Sequence, residues 1–286
     1  MTNENTFKLQ GHEKFALREG WLTKGLVEVK NSIYDNVFLE KDAAEIFGIG
    51  NNMVKSLRYW MKVLGLTNNS GSELTEFGDL VARYDIYIED PFTLWIMHSN
   101  ISKDVQNATS WYMYFNKCDA EDLDKNQIHK ILYREISKYA PGKRISERSL
   151  DSDIDVLLNM YSKRKENDDP EDKNVSPFSQ LFLIKNSAGK YSKLHPSMKG
   201  FSELIVLYEI ALKMKDRETL AIDELINGEC GLNKIYNISG VVVNDYLDKL
   251  DAAGFIRVDR TAGLDMIYSI QQLDSNTILE KYYENK

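Results

Sequence analysis

Residues 39–66 read LEKDAAEIFGIGNNMVKSLRYWMKVLGL, and the punctuation of this stretch decides the fold. A short amphipathic segment, 41–47, stops at Gly48-Ile49-Gly50, and a longer periodic segment begins at Asn51. Glycines supply the backbone freedom that a tight interhelical turn needs, and Asn51 is read as the N-cap of the second helix. Along that helix Met53, Leu57, Trp60, Met61 and Leu64 follow the i, i+3, i+4 rule and gather on one side, toward the core. The pattern is that of a helix-turn-helix.

At roughly 100° per residue, Asn51, Lys55, Arg58 and Lys62 fall together on another side of the same helix, with Asn52 beside them. The helix carries three cations and no acid. A polar loop, Asn68-Asn69-Ser70-Gly71-Ser72, follows and reads as the hairpin of a winged helix, a geometry that lays one helix in a major groove with a wing beside it. Charged helix faces are by default simply solvated, and winged helices also serve protein contacts. DNA binding through Asn51, Asn52, Lys55, Arg58 and Lys62 is the reading carried forward.

Upstream, Phe7, Leu9 and Phe15 read as an extended lead-in pinned to the body, and residues 22–34 as the first helix, burying Leu22, Leu26, Val29 and Ile33. Downstream, residues 79–84 form a short helix, and Asp90-Pro91 marks a firm helix start. The apolar PFTLWIMHSNI is a buried central helix. Trp111, Tyr112, Tyr114 and Phe115 can be either a base-stacking platform or core, and burial statistics favour core. Helices over 119–139 and 146–161 precede RKENDDPEDKNV, a charged loop or linker, and a hairpin with its turn at 186–189.

The last third repeats the opening theme: helices over 200–214, 222–226 and 239–253, then FIRVDR, a turn and DMIYSI. Its third helix carries Asp245, Asp248 and Asp251 against one Lys249, which repels phosphate and points to protein contacts, with Arg257 and Arg260 on the hairpin as the countervailing charges. The chain therefore reads as mainly α with small β-hairpins (α+β), two winged helix-turn-helix units flanking a helical middle region. The expected divisions are 1–90, lead-in and first winged unit; 91–163, helical core; 164–199, charged loop and hairpin; and 200–286, second winged unit and tail.

The 286 residues are 43% hydrophobic and give a formal net charge of −8, which argues against coating nucleic acid along the whole surface. Any DNA contact must be local. Cys118 and Cys230 lie far apart with no CxxC clip, no apolar run reaches the length of a membrane span, and no secretory signal is visible, so a soluble cytoplasmic protein with no membrane partner is expected.

The histidines, His12, His98, His129 and His195, show no zinc spacing, and no phosphate-binding loop, dinucleotide fingerprint or nucleophile elbow is present. The main carboxylate constellation is LDSDID, residues 150–155, where Asp151 and Asp155 share a helix face and can offer oxygen ligands to Mg²⁺ for phosphodiester cleavage. Acids in a first helical turn also serve simply to complement the dipole and cap free amides. His12-Glu13 and Glu89-Asp90 are weaker candidates of the same kind.

Five phrases, GHEKFALREGWLTKGL, FGIGNNMVKSLRYWMKVLGL, LTEFG, DPFTLWIMHSN and SWYMYFN, resemble an uncharacterised bacterial family encoded beside DNA phosphorothioate-modification genes. One branch of that family is the nicking subunit of single-strand phosphorothioation systems. The resemblance runs over residues 7–116, with a thinner echo through LDSDIDVLLNMY and the hairpin region. It implies a protein acting on DNA beside a cysteine desulfurase, a sulfurtransferase and an ATPase. It transfers no catalytic residue, and neither a PD-(D/E)xK nor an HNH-like pattern is present. A DNA-binding defence component, with Mg²⁺-dependent nicking if the carboxylates serve a metal, is thus set against a winged-helix transcriptional regulator and a protein-binding adaptor.

Overall fold

Helix boundaries in this chain follow its caps. The computed structural model describes residues 5–163, 175–196, 198, 200–263, 265–270 and 273–286, so most of the charged stretch read above as a linker lies outside the described residues. The fold is α+β, 55% helical, with two small antiparallel sheets of three strands. The chain forms two compact units, one through Leu194 and one from His195.

In the first unit α1 (Trp21–Asn31), α2 (Ala43–Phe47) and α3 (Asn51–Val63) come in succession. Gly48 closes α2 in the left-handed conformation at φ 62°, and Gly50, extended, is the N-cap of α3. Asn51 is therefore the first helical residue rather than the expected cap. Helix α1 stops short of residue 34 because Ser32 Oγ accepts the N–H of Tyr34 at 3.0 Å, a local bond that competes with the helix. Ile33, expected inside, is 91% exposed.

Helix α3 buries more than one stripe. Leu57, Trp60, Met61 and Leu64 are fully buried as expected, but Val54 and Tyr59 are buried too, while Met53 is only half-buried. The extra burial comes from two covers. Helix α1 lies on one side, and the lead-in segment lies on the other, where a Cβ at Gly11 would stand 2.4 Å from the Tyr59 ring.

The stretch expected as a wing holds one bridge, Thr67 to Leu74, rather than two strands. Its polar tip bonds to itself, Asn68 Oδ1 accepting from Ser70 Oγ at 2.8 Å and from Ser72 N–H at 3.1 Å. Helix α4 (Glu76–Tyr84) starts earlier than residue 79, because Thr75 Oγ1 accepts the Gly78 N–H at 2.9 Å.

Helix α5 (Pro91–Lys103) begins where Asp90-Pro91 requires, with Asp90 capping the Phe92 N–H at 2.9 Å, and is buried nearly all round. Trp111, Tyr112, Tyr114 and Phe115 on α6 (Thr109–Lys117) are core, not an exposed platform. A two-residue strand, β1 (Leu123–Asp124), occupies ground expected to be helical, and the Asp124–Gln127 capping box sets the start of α7 (Lys125–Tyr139). Helix α8 (Glu147–Ser162) follows its Ser146 cap. The hairpin of β2 (Ile184–Ser187) and β3 (Lys190–Lys193) turns more tightly than expected, at Ala188-Gly189, and accepts β1 as its third strand in the order β1-β3-β2.

The second unit runs α9 (Glu203–Lys213), β4 (Thr219–Ala221), α10 (Ile222–Asn227), α11 (Leu232–Ile235), α12 (Gly240–Ala252), β5 (Ile256–Asp259), β6 (Met266–Ser269) and α13 (Ser275–Glu284). Its sheet has the order β4-β6-β5. The expected hairpin is present, whereas β4, α11 and α13 are additions to the sequence reading. Helix α13 packs on α9 through an apolar side that includes Leu279 and Tyr283.

One polar contact ties the first unit together. Asp153 on α8 is 2% exposed, and its Oδ1 accepts the Gln10 N–H at 2.7 Å and His12 Nε2–H at 2.9 Å, while Oδ2 accepts the Ser110 hydroxyl at 2.6 Å. His12 Nδ1 in turn accepts the Lys14 N–H at 3.1 Å, which leaves Nε2 as the donor toward Asp153. The His12 ring stacks on Trp60 at 5.7 Å between centroids, and the Trp60 indole N–H reaches the Phe15 carbonyl at 3.2 Å. A buried carboxylate is tolerated only when its lone pairs are filled. Asp153→Asn, which turns one acceptor into a donor, should lower unfolding stability in chemical denaturation by about 3 kcal/mol. Asp155→Asn, on the exposed side of the same helix, should cost under about 1 kcal/mol.

Candidate nucleic-acid interface

The sequence-designated cations of α3 do not stand equally. Asn51, Asn52 and Lys55 are exposed at the start of the helix, whereas Arg58 and Lys62 are half-buried further along it. Asn51, Lys55, Arg58 and Lys62, but not Asn52, line a groove of about 790 Å³ together with Tyr59, the acids Glu13 and Glu40, and a residue not singled out from the sequence, Lys8. Arg58 Nε donates to the Ser70 carbonyl at 2.9 Å, which holds the guanidinium under the polar loop, and Asn36 Nδ2 reaches the same carbonyl at 2.9 Å. Lys62 Nζ donates to Asn107 Oδ1 at 2.8 Å, and Asn107 Nδ2 passes on to Asp104 Oδ2 at 2.9 Å.

These partners are neutral. Among the described residues, none of Lys8, Lys55, Arg58 or Lys62 is engaged in an ion pair. Elsewhere the chain pairs cations readily, as Lys30 and Arg83 do with Asp79. The Lys8 ammonium lies 5.6 Å from the centroid of the Tyr59 ring. Burial lowers its pKa from the usual lysine value, and the nearby Lys62 and Arg58 charges lower it further, against smaller opposing effects of Glu13 and Asp104.

Lys8 reaches the groove because the lead-in is folded back rather than extended. Gln10, Glu13 and Lys14 all adopt positive φ, at 59°, 49° and 67°, a conformation that non-glycine residues hold only when their surroundings impose it. The Lys8 N–H donates to Thr109 Oγ1 at 3.0 Å, and His12 is completely buried against Asp153 and Trp60. Phe7, Leu9 and Phe15, expected to pin this segment, are only half-buried, while His12 and Leu17 are fully inside. No periodicity marks such a segment.

On α8, Asp153 faces inward and Asp151 and Asp155 face solvent. Asp151 Oδ1 meets His129 Nδ1 at 2.6 Å, and Asp155 is ion-paired with Lys125, both partners coming from α7. Of the weaker carboxylate candidates, Asp90 is a helix cap and His12 belongs to the buried pair. In the second unit, Asp245 and Asp248 of α12 are exposed, and Arg260 is drawn to Asp248 at 2.7 Å and Asn244 at 3.0 Å.

A family model described as a protein of unknown function (DUF4007) matches residues 9–283. The chain belongs to the DUF4007 family. No curated protein matches it. Among solved structures, this DUF4007 protein is similar to a crystal structure of SspB and to a magnesium-ion-bound crystal structure of SspB. Each has a TM-score of 0.81 at 22% identity, covering 97% of this chain and 88% of the other. This likeness extends over both units and shows a shared fold.

The magnesium-bound relative calls for a test of fit. Among the described residues of this DUF4007 protein, no group of three or more His, Cys, Asp or Glu is placed to hold a metal. Asp151 and Asp155 are each already compensated by a base, and Mg²⁺ seeks six oxygen ligands. As placed, the pair does not fit a resident ion, and no chemical step is derived through one. No helix among the described residues is long and apolar enough to cross a membrane.

Because burial and two neighbouring cations oppose its charge, Lys8 should lose its proton at lower pH than a solvated lysine. Competitive amine labelling across pH 8 to 11, read by mass spectrometry, should place the Lys8 midpoint below the ordinary value of 10.5. A midpoint at or above that value contradicts the arrangement.

Proposed function

We propose that this DUF4007 protein is a DNA-binding component of a bacterial DNA phosphorothioate-modification or related anti-phage defence system, and that it holds duplex DNA along α3. The observation that carries the proposal is the groove in which Lys8, Lys55, Arg58 and Lys62 meet without a carboxylate partner, on a chain whose net charge is −8. A local excess of cations, four against Glu13 and Glu40, is what polyanion binding needs. The fold likeness to SspB, a protein of phosphorothioation systems, agrees with the family resemblance of the sequence phrases.

In this reading α2, α3 and the single-bridge loop after them act as a winged helix-turn-helix. Asn51, Asn52 and Lys55, exposed on the first turns of α3, reach base edges, while Arg58 and Lys62 hold backbone phosphates. The order of α9, β4, α10, α11, α12, β5 and β6 is read as a second winged unit. The acids of α12 turn that unit toward a protein, and the sulfurtransferase, cysteine desulfurase or ATPase of the modification system are the candidates.

The test is a gel shift and a supercoiled-plasmid assay on the same DNA, with Mg²⁺, with Mn²⁺ and with EDTA. Lys55→Glu and Arg58→Glu should each weaken binding on the order of 100-fold at moderate salt with unchanged circular dichroism. Undiminished binding by both variants would rule out α3 as the contact. Metal-dependent conversion to open circle that is lost in Asp151→Ala or Asp155→Ala would assign nicking to that pair. Binding without conversion leaves a targeting protein, and neither activity leaves an adaptor.

A further inference from the structure

The folded-back lead-in is costly to build, and its cost points to a use. Within five residues the chain holds Gln10, Glu13 and Lys14 at positive φ, brings the Gly11 backbone against the Tyr59 ring, and buries the His12 imidazole against Asp153 of α8. Each non-glycine residue held left-handed costs on the order of 1 kcal/mol or more, so the surrounding contacts must over-determine the path. An extended lead-in would cover the aromatic side of α3 without that strain. It would not return Lys8 to the groove.

We infer that residues 8–14 are a fixed arm of the interface, in which Lys8 joins Arg58 and Lys62 to seat one backbone phosphate of nucleic acid and the buried His12–Asp153 pair holds the arm in place. This deepens the proposed function and rests on it. Three features of the groove carry it. The cations come from two chain segments and line one groove, where the four of them, Lys8, Lys55, Arg58 and Lys62, outnumber its two acids, Glu13 and Glu40, and none is ion-paired. Arg58 and Lys62 are already fixed by neutral acceptors, Ser70 O and Asn107 Oδ1, which orient their positive groups without neutralising them. Lys8 is fixed at its backbone by Thr109 Oγ1, while its ammonium lies against the Tyr59 ring and makes no ion pair.

An oxyanion is the ligand that such a trio accepts, since three like charges held together gain most from a group that meets all of them at once. The arm supplies no base-reading group at this point, so its contribution is to affinity and register rather than to sequence preference. His12 and Asp153 touch no ligand and act as positioning residues.

Fluorescence anisotropy of the full chain with a 20-base-pair duplex, over a salt series, tests the inference. Lys8→Gln should reduce the slope of log K against log salt by about 0.9, the loss of one phosphate contact, and Lys8→Arg should restore it. His12→Asn should produce the same loss of slope, and it should add nothing in the Lys8→Gln background, because it acts only through Lys8. If His12→Asn does not fold, the Lys8 pair of variants decides alone. An unchanged slope in Lys8→Gln, with Lys55→Glu still defective, overturns the arm and leaves α3 as the interface. Absence of DNA binding by the wild-type chain overturns both.

Discussion

The first unit depends on one buried carboxylate. Asp153 lies out of water, and its stability there rests on three donors drawn from distant parts of the chain: the Gln10 N–H, His12 Nε2–H and the Ser110 hydroxyl. Those donors fix the path of the lead-in, the orientation of α6 and, through the ring of His12, the plane of Trp60. They also fix the rotation of α8. At about 100° per residue, positions two before and two after Asp153 point away from it, which sends Asp151 and Asp155 to the surface. The inward acid thus decides which acids of the same helix meet solvent, and why their partners are His129 and Lys125 on the neighbouring α7.

Charge is distributed unevenly between α3 and α12. The α3 groove collects lysine and arginine from two segments and satisfies them with carbonyl and amide oxygens. The outer side of α12 does the reverse, keeping Asp245 and Asp248 exposed and drawing Arg260 of the hairpin onto Asp248. Arg257, which from the sequence reads as a second cation on that hairpin, lies 4.5 Å from the centroid of the Tyr268 ring. An acidic chain that gathers an excess of cations in one groove concentrates its electrostatic attraction there, which suits a local contact rather than a coating of polymer.

Much of the architecture was legible without coordinates. The helix starts read at Asp90-Pro91, 146 and 239 hold, because a side-chain oxygen filling a free N–H is a local event, whereas the helix read from 200 begins only after the Ser202 cap. The aromatic residues of α6 were core because four large rings within five residues bury far more favourably than they solvate. Strands β1 and β4 went unread, since two or three residues are too few to show alternation and their pairing is supplied wholly by β3 and β6. The start of α7 was misplaced for the same reason, β1 having taken the residues before it.

By itself, then, the sequence determined an α+β chain of capped helices, the glycine-punctuated turn before α3, and the cations along that helix. Each of these follows from contacts between residues a few positions apart. Only the tertiary structure decided that Asp153 faces inward while its neighbours face out, that Tyr59 and Val54 are covered, and that Lys8 stands beside Arg58 and Lys62. These depend on which remote segment lies against each helix, and a periodic pattern reports the side of a helix that is covered without naming what covers it.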